Sequence, residues 1–178
     1  APALPKEYGG MGANHTQRLI LTDELLYHRA VPITLCGANI VAPTLMLYGN
    51  EEQQREYLPR IARGEIEFAL GYSEPNAGSD LAALEIAAVE DGDDFILNGH
   101  KIFNTGTHYA HYVWMAARTD PILPKHKGIS LPIVDTKSPG ITIHPLWTMD
   151  GERTNEVFYE NVRVTRKNLV GEKNRGFY

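Results

Sequence analysis

The segment Phe68–Asp80, with the sequence FALGYSEPNAGSD, joins an apolar, strand-like run to a loop of small polar residues. The apolar run ends at Ser73, and Glu74-Pro75 opens a loop that contains Gly78 and Ser79. A strand that ends in such a turn can direct several backbone N–H groups and a hydroxyl at one point. That arrangement holds an anionic or acceptor-rich ligand without a full charge. Taken alone, the segment is more typical of an ordinary loop than of a ligand site.

Another motif, Gly99–Gly106, has the sequence GHKIFNTG. Phe103 and Thr105 alternate along a predicted strand, so we expect their side chains on one face. An aromatic side chain and a hydroxyl on one face can both contact a planar, acceptor-rich cofactor. Taken singly, Phe103 is typical of a core aromatic, and Thr105 is typical of a routine strand or turn residue. Only the two motifs together, Phe68–Asp80 and Gly99–Gly106, indicate a site.

Two further residue pairs could do chemistry. His108 and His111 could share a helical face as metal ligands, but they lie between strand-like segments with no Cys or carboxylate close in sequence. We therefore expect no metal site. Glu74 and Asp80 flank the first loop and could act as a general acid and base. We expect Glu74 instead to order the turn through hydrogen bonds to the backbone.

Composition limits the classes of function. The chain has 178 residues, a net charge of −5, and 43% hydrophobic and 22% charged residues. These values are ordinary for a globular protein, and the net charge argues against nucleic acid or an acidic membrane surface as a general partner. The sequence contains no run of about 18 apolar residues, so it predicts no membrane-spanning helix. The chain lacks a signal-peptide pattern and an initiator Met, so we expect it to be a fragment of a longer protein.

The single cysteine, Cys36, excludes an internal disulfide. This fits a reducing compartment. Because Cys36 lies in an apolar helical run, we expect a buried and unreactive thiol.

The first third of the chain is predicted to be helical. Asn14 and Asn50 are each followed three residues later by Gln, which is the pattern of a capping box at a helix start. Between those helices, a further helix is predicted over Ile33–Tyr48, with Pro43 kinking or dividing it. Residues 1–66 are therefore predicted to form an N-terminal helical domain.

After residue 66 the hydrophobic period changes to that of strands. Eight strands are predicted: Phe68–Ser73, Leu84–Glu90, Asp94–Leu97, Lys101–Asn104, Tyr112–Arg118, Ile129–Asp135, Ile141–Leu146 and Val157–Val164. Hairpin turns are predicted at Asp91–Asp93, Asn98-Gly99 and Ser138–Gly140. Short strands with frequent turns and no intervening helices predict an antiparallel β-barrel or sandwich over residues 67–178. The fold class is therefore α+β.

Several ordered motifs resemble the flavin-dependent acyl-CoA dehydrogenase family. The resemblance covers nearly the whole chain and includes both motifs described above, Phe68–Asp80 and Gly99–Gly106. Its other motifs are LPKEYGG at residues 4–10, GNEEQQ at 49–54 with Leu58-Pro59, KHKGIS at 125–130 and TNEVF at 154–158. The resemblance implies the first two domains of a three-domain fold, without the C-terminal helical bundle.

The resemblance also implies a set of FAD contacts. Leu70 to Ser73 would run beside the isoalloxazine ring, with the backbone of Tyr72 and Ser73 and the Ser73 hydroxyl at its edge. Ser79 would lie near the flavin pyrophosphate and the pantetheine of the acyl-CoA substrate. Phe103 would pack on the ring system, where many members carry Trp, and the Thr105 hydroxyl would donate toward N5.

The family's reaction is α,β-dehydrogenation of an acyl-CoA thioester, with hydride transfer to flavin N5. The resemblance places the carboxylate base in the third domain, so no catalytic residue is expected in this chain. It implies a role in fatty-acid or lipid oxidation and an electron-transferring flavoprotein as the electron acceptor. It further implies a homotetramer or a dimer, which could be heteromeric, and a bacterial cytoplasmic rather than mitochondrial location.

Three alternatives stay open at this point. An acyl-CoA oxidase on the same scaffold would differ in how O₂ reaches the reduced flavin. A non-catalytic subunit of a heteromeric dehydrogenase would keep the fold without the base. A β-barrel interaction module would bind no cofactor. Arg153–Glu156 fits either the edge of a substrate channel or a solvated hairpin tip.

Overall fold

A computed structural model describes residues 1–30 and 36–178. The chain divides into two compact units, Ala1–Glu67 and Phe68–Tyr178. The first is helical and the second is built on a β-sheet, as the α+β prediction requires. None of the helices within the described ranges has the length and apolar character that a membrane span requires.

The helical unit contains α1 (His15–Tyr27), α2 (Ala42–Tyr48) and α3 (Glu51–Arg63). Both predicted capping boxes are confirmed. The Asn14 and Asn50 side chains each accept a hydrogen bond from the backbone of the Gln three residues later, and that Gln side chain accepts from the backbone of the Asn. These reciprocal bonds satisfy N–H groups that a helix start otherwise leaves without partners.

The predicted helix Ile33–Tyr48 begins in residues that lie outside the described ranges. From Cys36 onward it is helical, with a π-helical stretch over Gly37–Val41 that leads into α2. Pro43 lies in the first turn of α2, where the backbone on either side is helical, so the predicted kink or division there stays a prediction. Burial and the nearby Glu67 carboxylate raise the pKa of the Cys36 thiol to about 12, which fits the expected unreactive thiol.

The β unit is a sheet of nine strands within the described residues. They are β1 (Phe68–Gly71), β2 (Ala87–Asp91), β3 (Asp94–Lys101), β4 (Tyr112–Met115), β5 (Ala117–Arg118), β6 (Ile129–Asp135), β7 (Ile141–Trp147), β8 (Arg153–Thr165) and β9 (Leu169–Val170). Their order is β1-β4-β6-β5-β2-β3-β8-β7, with β9 paired to β6. Most pairs are antiparallel as predicted, but β1–β4 and β2–β5 are parallel.

The turn prediction was right at one place and wrong at two. Gly92 and Asp93 join β2 to β3 as a tight hairpin. Ser138–Gly140 joins β6 to β7, but these strands are not neighbours in the sheet, so this turn is not a hairpin. The predicted turn at Asn98-Gly99 is absent because β3 continues through it as a bulge, where its pairing with β8 shifts register.

The bulge at Gly99 is a close-packed position. Gly99 has φ +153°, and a Cβ built there would lie 2.6 Å from Ile86 Cγ1. The bulge carries β3 on to Lys101, so the separate strand predicted over Lys101–Asn104 does not form. Residues 102–104 instead leave the sheet directly beside the loop that follows β1.

Candidate functional site

The loop after β1 and the segment after β3 lie side by side. The Ile102 N–H donates to the Ser73 carbonyl at 3.0 Å, and the Lys101 ammonium donates to the Tyr72 carbonyl at 2.8 Å. Lys101 also contacts a carboxylate oxygen of Glu74 at 2.8 Å. The end of β3 therefore holds three consecutive residues, Tyr72 to Glu74, which we call the first segment.

The ion pair between Lys101 and Glu74 is buried. The Lys101 side chain is fully buried, and that of Glu74 is 7% exposed. The Glu74 carboxylate also accepts from the backbone N–H groups of Glu85 at 2.6 Å and Ile86 at 3.0 Å. Burial lowers the pKa of Lys101 to about 8, although the charge of Glu74 opposes the shift. Every charge in this group has a partner, as a buried ion pair requires.

These contacts confirm that Glu74 orders the turn through backbone hydrogen bonds. Asp80, the other half of the acid–base pair considered above, forms a surface ion pair with Lys125 at 2.7 Å, and both of those side chains are more than half exposed. The two carboxylates have separate partners, so the structure offers no acid–base pair here.

The first segment and its neighbours carry polar groups that the contacts with Lys101 and Ile102 do not use. Ser73 is half-buried, and its hydroxyl and backbone N–H have no hydrogen-bond partner within the described part of the chain. The half-buried Tyr72 places its hydroxyl 3.0 Å from the indole nitrogen of buried Trp114. Leu70 lies in β1 opposite Trp114 and is half-buried. Ser79 is exposed in the following loop.

Phe103–Thr105, which we call the second segment, is not a strand. Phe103 has φ +59°, in the left-handed region that few non-glycine residues adopt. Its ring is 65% exposed, whereas Asn104 is buried and Thr105 is exposed. The strand prediction is therefore wrong in backbone conformation. Phe103 and Thr105 are both exposed while Asn104 between them is buried, and their expected placement on one face stays a prediction.

Two residues of β8 hold the second segment. The Asn104 N–H donates to the Asn155 carbonyl at 2.9 Å, and the Asn155 side-chain amide donates to the Asn104 carbonyl at 2.8 Å. The Thr105 hydroxyl donates to the Thr154 hydroxyl oxygen at 3.2 Å. Thr154 and Asn155 are buried, so they do not form the solvated hairpin tip that was one of the two sequence interpretations.

No metal cluster forms around the histidines. Among residues 1–30 and 36–178, no group of three or more His, Cys, Asp or Glu side chains could hold a metal ion. His108 Nδ1 lies 3.2 Å from the Asn155 amide nitrogen. Burial, and then the charge of Arg153, lower the pKa of His108.

Sequence reasoning missed three residues of this site. Lys101 occupies an inward position of β3 and was given no role, whereas Thr154 and Asn155 of β8 were considered only within Arg153–Glu156 and not as contacts of Phe103–Thr105. Lys101 alone carried a usable signal, because a charged residue on the buried face of a strand requires a partner. Nothing near Thr154 and Asn155 in sequence indicates contact with residues about fifty positions earlier.

Both parts of the chain match known families. Residues 1–65 match the model of the acyl-CoA dehydrogenase N-terminal domain, and residues 69–162 match that of the middle domain. Acyl-CoA dehydrogenase FadE29 of Mycobacterium tuberculosis is 49% identical over 175 residues, which cover 97% of this chain and 45% of the relative. The chain thus spans less than half the length of the curated relatives it matches.

Solved structures give the same result. The ChsE4–ChsE5 complex from Mycobacterium tuberculosis contains a chain that is 48% identical with a TM-score of 0.94, matching 99% of this chain and 46% of that one. A protein described as the Tcur3481–Tcur3483 steroid ACAD is 47% identical with a TM-score of 0.95, matching 98% of this chain and 45% of that one.

Proposed function

The chain belongs to the acyl-CoA dehydrogenase family, and on that premise we propose that it forms the FAD-facing part of an enzyme that dehydrogenates an acyl-CoA thioester at the α and β carbons. The observation that carries the proposal is the contact between the first segment and Ile102, the residue that precedes the second segment. The hydrogen bond from Ile102 to Ser73 brings Tyr72–Ser73 and Phe103–Thr105 to one place.

The residues present fit a flavin. An isoalloxazine ring needs hydrogen bonds at its pyrimidine edge, a donor at N5 and a flat apolar contact. The N–H and hydroxyl of Ser73 have no partner in the described chain and can serve the edge. Phe103 leaves 65% of a large aromatic side chain exposed, which is costly in water and favourable against a ring.

Each site residue has a proposed role. Leu70 and Tyr72 line the isoalloxazine ring, and Ser73 donates to its pyrimidine edge. Phe103 packs on the ring system and keeps water from it, while the Thr105 hydroxyl donates to N5. Ser79, exposed at the end of the loop, binds the flavin pyrophosphate and the pantetheine of the substrate.

When bound, FAD would supply the hydride acceptor for the β-hydrogen of the substrate. The α-proton is very weakly acidic, so its removal requires hydrogen bonds that polarise the thioester carbonyl. A carboxylate base must accept that proton. The only buried carboxylate of the site, Glu74, is engaged by Lys101 and two backbone N–H groups. We therefore assign no catalytic base to these residues.

A bulky, ring-bearing acyl group is the proposed substrate class, because the similar Tcur3481–Tcur3483 protein is described as a steroid ACAD. An electron-transferring flavoprotein is the proposed electron acceptor, and lipid oxidation in a bacterial cytoplasm is the proposed setting.

The test is a visible spectrum of the full-length protein, purified with any subunit that accompanies it. Three probes are added without oxygen: octanoyl-CoA, isovaleryl-CoA, and a steroid side-chain carboxylate joined to CoA. We expect flavin bands that the steroid thioester bleaches fastest. A protein that carries no flavin would contradict the proposal. Admitting air after bleaching separates a dehydrogenase from an oxidase, because an oxidase recovers its bands rapidly.

A second candidate role is that of a subunit in a heteromeric enzyme. It is favoured by the ChsE4–ChsE5 structure, which is a complex of two different chains. In that case the flavin belongs to an assembly of two chain types. Light scattering and flavin content per subunit distinguish this assembly from a homotetramer, and a flavin that no probe bleaches would favour a non-catalytic chain.

A further inference from the structure

The backbone around Ser73 has one donor that no part of the described chain uses. The two peptide groups that flank the Ser73 side chain carry two carbonyls and two N–H groups. All but one of these groups have partners: the Tyr72 carbonyl accepts from Lys101 Nζ at 2.8 Å, the Ser73 carbonyl accepts from the Ile102 N–H at 3.0 Å, and the Glu74 N–H donates to the Ala77 carbonyl at 2.8 Å. The exception is the Ser73 N–H, which has no hydrogen-bond partner among residues 1–30 and 36–178.

The position of Lys101 fixes the direction of that N–H. The Tyr72 carbonyl and the Ser73 N–H belong to one peptide group, which is planar and trans, so the two bonds point in opposite directions. Because Lys101 lies on the carbonyl side, the Ser73 N–H points away from Lys101. The Glu74 carboxylate in turn holds Lys101 Nζ at 2.8 Å. The peptide group therefore cannot rotate without breaking a charge-assisted hydrogen bond.

The contact with Lys101 also makes the Ser73 N–H a stronger donor. A cation that donates to a peptide carbonyl polarises the peptide group, and hydrogen bonds in such a chain strengthen one another. Reduction by a hydride adds negative charge to a flavin ring, and a donor directed at its pyrimidine edge stabilises that charge. A stronger donor at this edge therefore favours the reduced flavin over the oxidised flavin.

We propose that Lys101 is a positioning residue that acts through the Tyr72 carbonyl to direct the Ser73 N–H at the pyrimidine edge of the bound flavin, and that it thereby raises the midpoint potential of that flavin. The inference rests on the proposed function, in which Ser73 donates to this edge. The Lys101 side chain is fully buried, so it acts through the peptide group and does not contact the cofactor.

The test measures the flavin midpoint potential of the full-length holoenzyme by photoreduction in the presence of a reference dye. The double variant Lys101→Met/Glu74→Gln removes the donor to the Tyr72 carbonyl but leaves the net charge of the buried pair at zero. A changed potential in this variant therefore reflects the lost hydrogen bond and not a lost charge. Glu74→Gln alone is the matched control, because Lys101 remains beside the Tyr72 carbonyl. The potential is read from the flavin that stays bound, so a partial loss of FAD does not alter it.

In the double variant we expect the equilibrium between reduced and oxidised flavin to shift about tenfold toward the oxidised form, which is the factor that one hydrogen bond contributes. For a two-electron couple, a tenfold change corresponds to a fall of about 30 mV in midpoint potential. Glu74→Gln should not lower the potential.

Two results would overturn the inference. One is a double variant whose potential equals that of the wild type, and the other is an equal fall in Glu74→Gln. If the double variant does not fold, a crystal structure of the wild-type holoenzyme decides. It supports the inference if Lys101 Nζ contacts the Tyr72 carbonyl while the Ser73 N–H donates to the flavin, and it overturns the inference if either contact is missing.

Failure of the proposed function is seen separately and earlier. A wild-type protein that carries no flavin, or whose flavin no acyl-CoA probe reduces, would count against the proposed function before any variant is compared. A wild type whose flavin is reduced by a probe, together with an unchanged potential in the double variant, would count against the role of Lys101 alone.

Discussion

The first and second segments lie next to each other but are held in place by different physics. A buried ion pair anchors Tyr72–Glu74, in which Lys101 contacts both the Tyr72 carbonyl and the Glu74 carboxylate. Neutral hydrogen bonds anchor Phe103–Thr105, because the Thr105 hydroxyl donates to Thr154 and the Asn155 side-chain amide donates to the Asn104 carbonyl. Charge-assisted bonds are shorter and stronger than neutral ones, so the first segment is held by the stronger kind of bond.

The difference suits what each segment presents. The first segment offers a backbone N–H, whose direction is fixed once the neighbouring carbonyls are fixed. The second offers a side-chain hydroxyl, whose proton can rotate and must be directed by another group. In the structure the Thr105 hydroxyl donates to Thr154, so it must turn before it can donate to a ligand.

The largest expected effect is that of Lys101→Met. It leaves the buried Glu74 carboxylate without its cation, so we expect the free energy of unfolding to fall by about 3–5 kcal/mol. Denaturant titration measures this change. The control is Lys125→Met, which breaks the exposed pair with Asp80 and should cost less than about 1 kcal/mol. Equal losses in the two variants would show that the buried Lys101–Glu74 pair stabilises the fold no more than the exposed Lys125–Asp80 pair does.

Asn155→Ala should have the next largest effect. It removes the amide that donates to the Asn104 carbonyl, in a position that is fully buried. Leaving a buried acceptor without its donor costs about 1–3 kcal/mol, and the displaced segment should retain less FAD. Flavin content after gel filtration and a denaturant titration check both. A variant with normal stability and a full complement of flavin would refute the anchoring role of Asn155.

A pH series should separate the two anchors, because only the first has a titrating group above pH 7. Burial lowers the pKa of Lys101 to about 8 from its ordinary 10.5, so the folded chain binds this proton less tightly than the unfolded chain. Between those two pH values the unfolded chain carries more protons, and stability rises with pH.

Relative to Lys101→Met, the free energy of unfolding of the wild type should therefore rise by about 1 kcal/mol per pH unit in that window. The difference between wild type and Asn155→Ala should stay constant over the same range. Parallel curves for wild type and Lys101→Met would contradict the lowered pKa.

Phe103→Gly should have the smallest effect on stability and a clear effect on the cofactor. Glycine accepts the positive φ of Phe103, and the ring it replaces is largely exposed. We expect stability within about 1 kcal/mol of wild type, with weaker FAD retention. Phe103→Ala, which keeps a Cβ at this φ, serves as the control. A large loss of stability in Phe103→Gly would mean that the ring is part of the core.

Local chemistry made part of this fold predictable. The two Asn–Gln capping boxes and the Gly92 hairpin depend on residues a few positions apart, and both predictions were confirmed. The dipeptide Asn98-Gly99 is also typical of a hairpin turn, but the pairing of β3 with β8 continues through it. Asn98 forms hydrogen bonds with Asn161 of β8, and Gly99 provides the bulge.

Sequence reasoning named candidate site residues but not Lys101, Thr154 or Asn155, which hold them in place. Ser73, Phe103 and Thr105 belong to two recognisable motifs, and their roles toward FAD remain predictions. Lys101 pairs with a residue 27 positions away, and Thr154 with one 49 positions away. Contacts at such separations depend on strand order, which hydrophobic period alone does not determine.

The most direct test is a crystal structure of the full-length protein with FAD bound. We predict the isoalloxazine ring against Phe103, its N5 within hydrogen-bond distance of the Thr105 hydroxyl, and its pyrimidine edge beside Ser73. In that structure Lys101 should still contact Glu74, and Thr154 should still contact Thr105. A flavin ring bound elsewhere, with Ser73 and Thr105 facing solvent, would contradict the assignment of these two segments as the cofactor site.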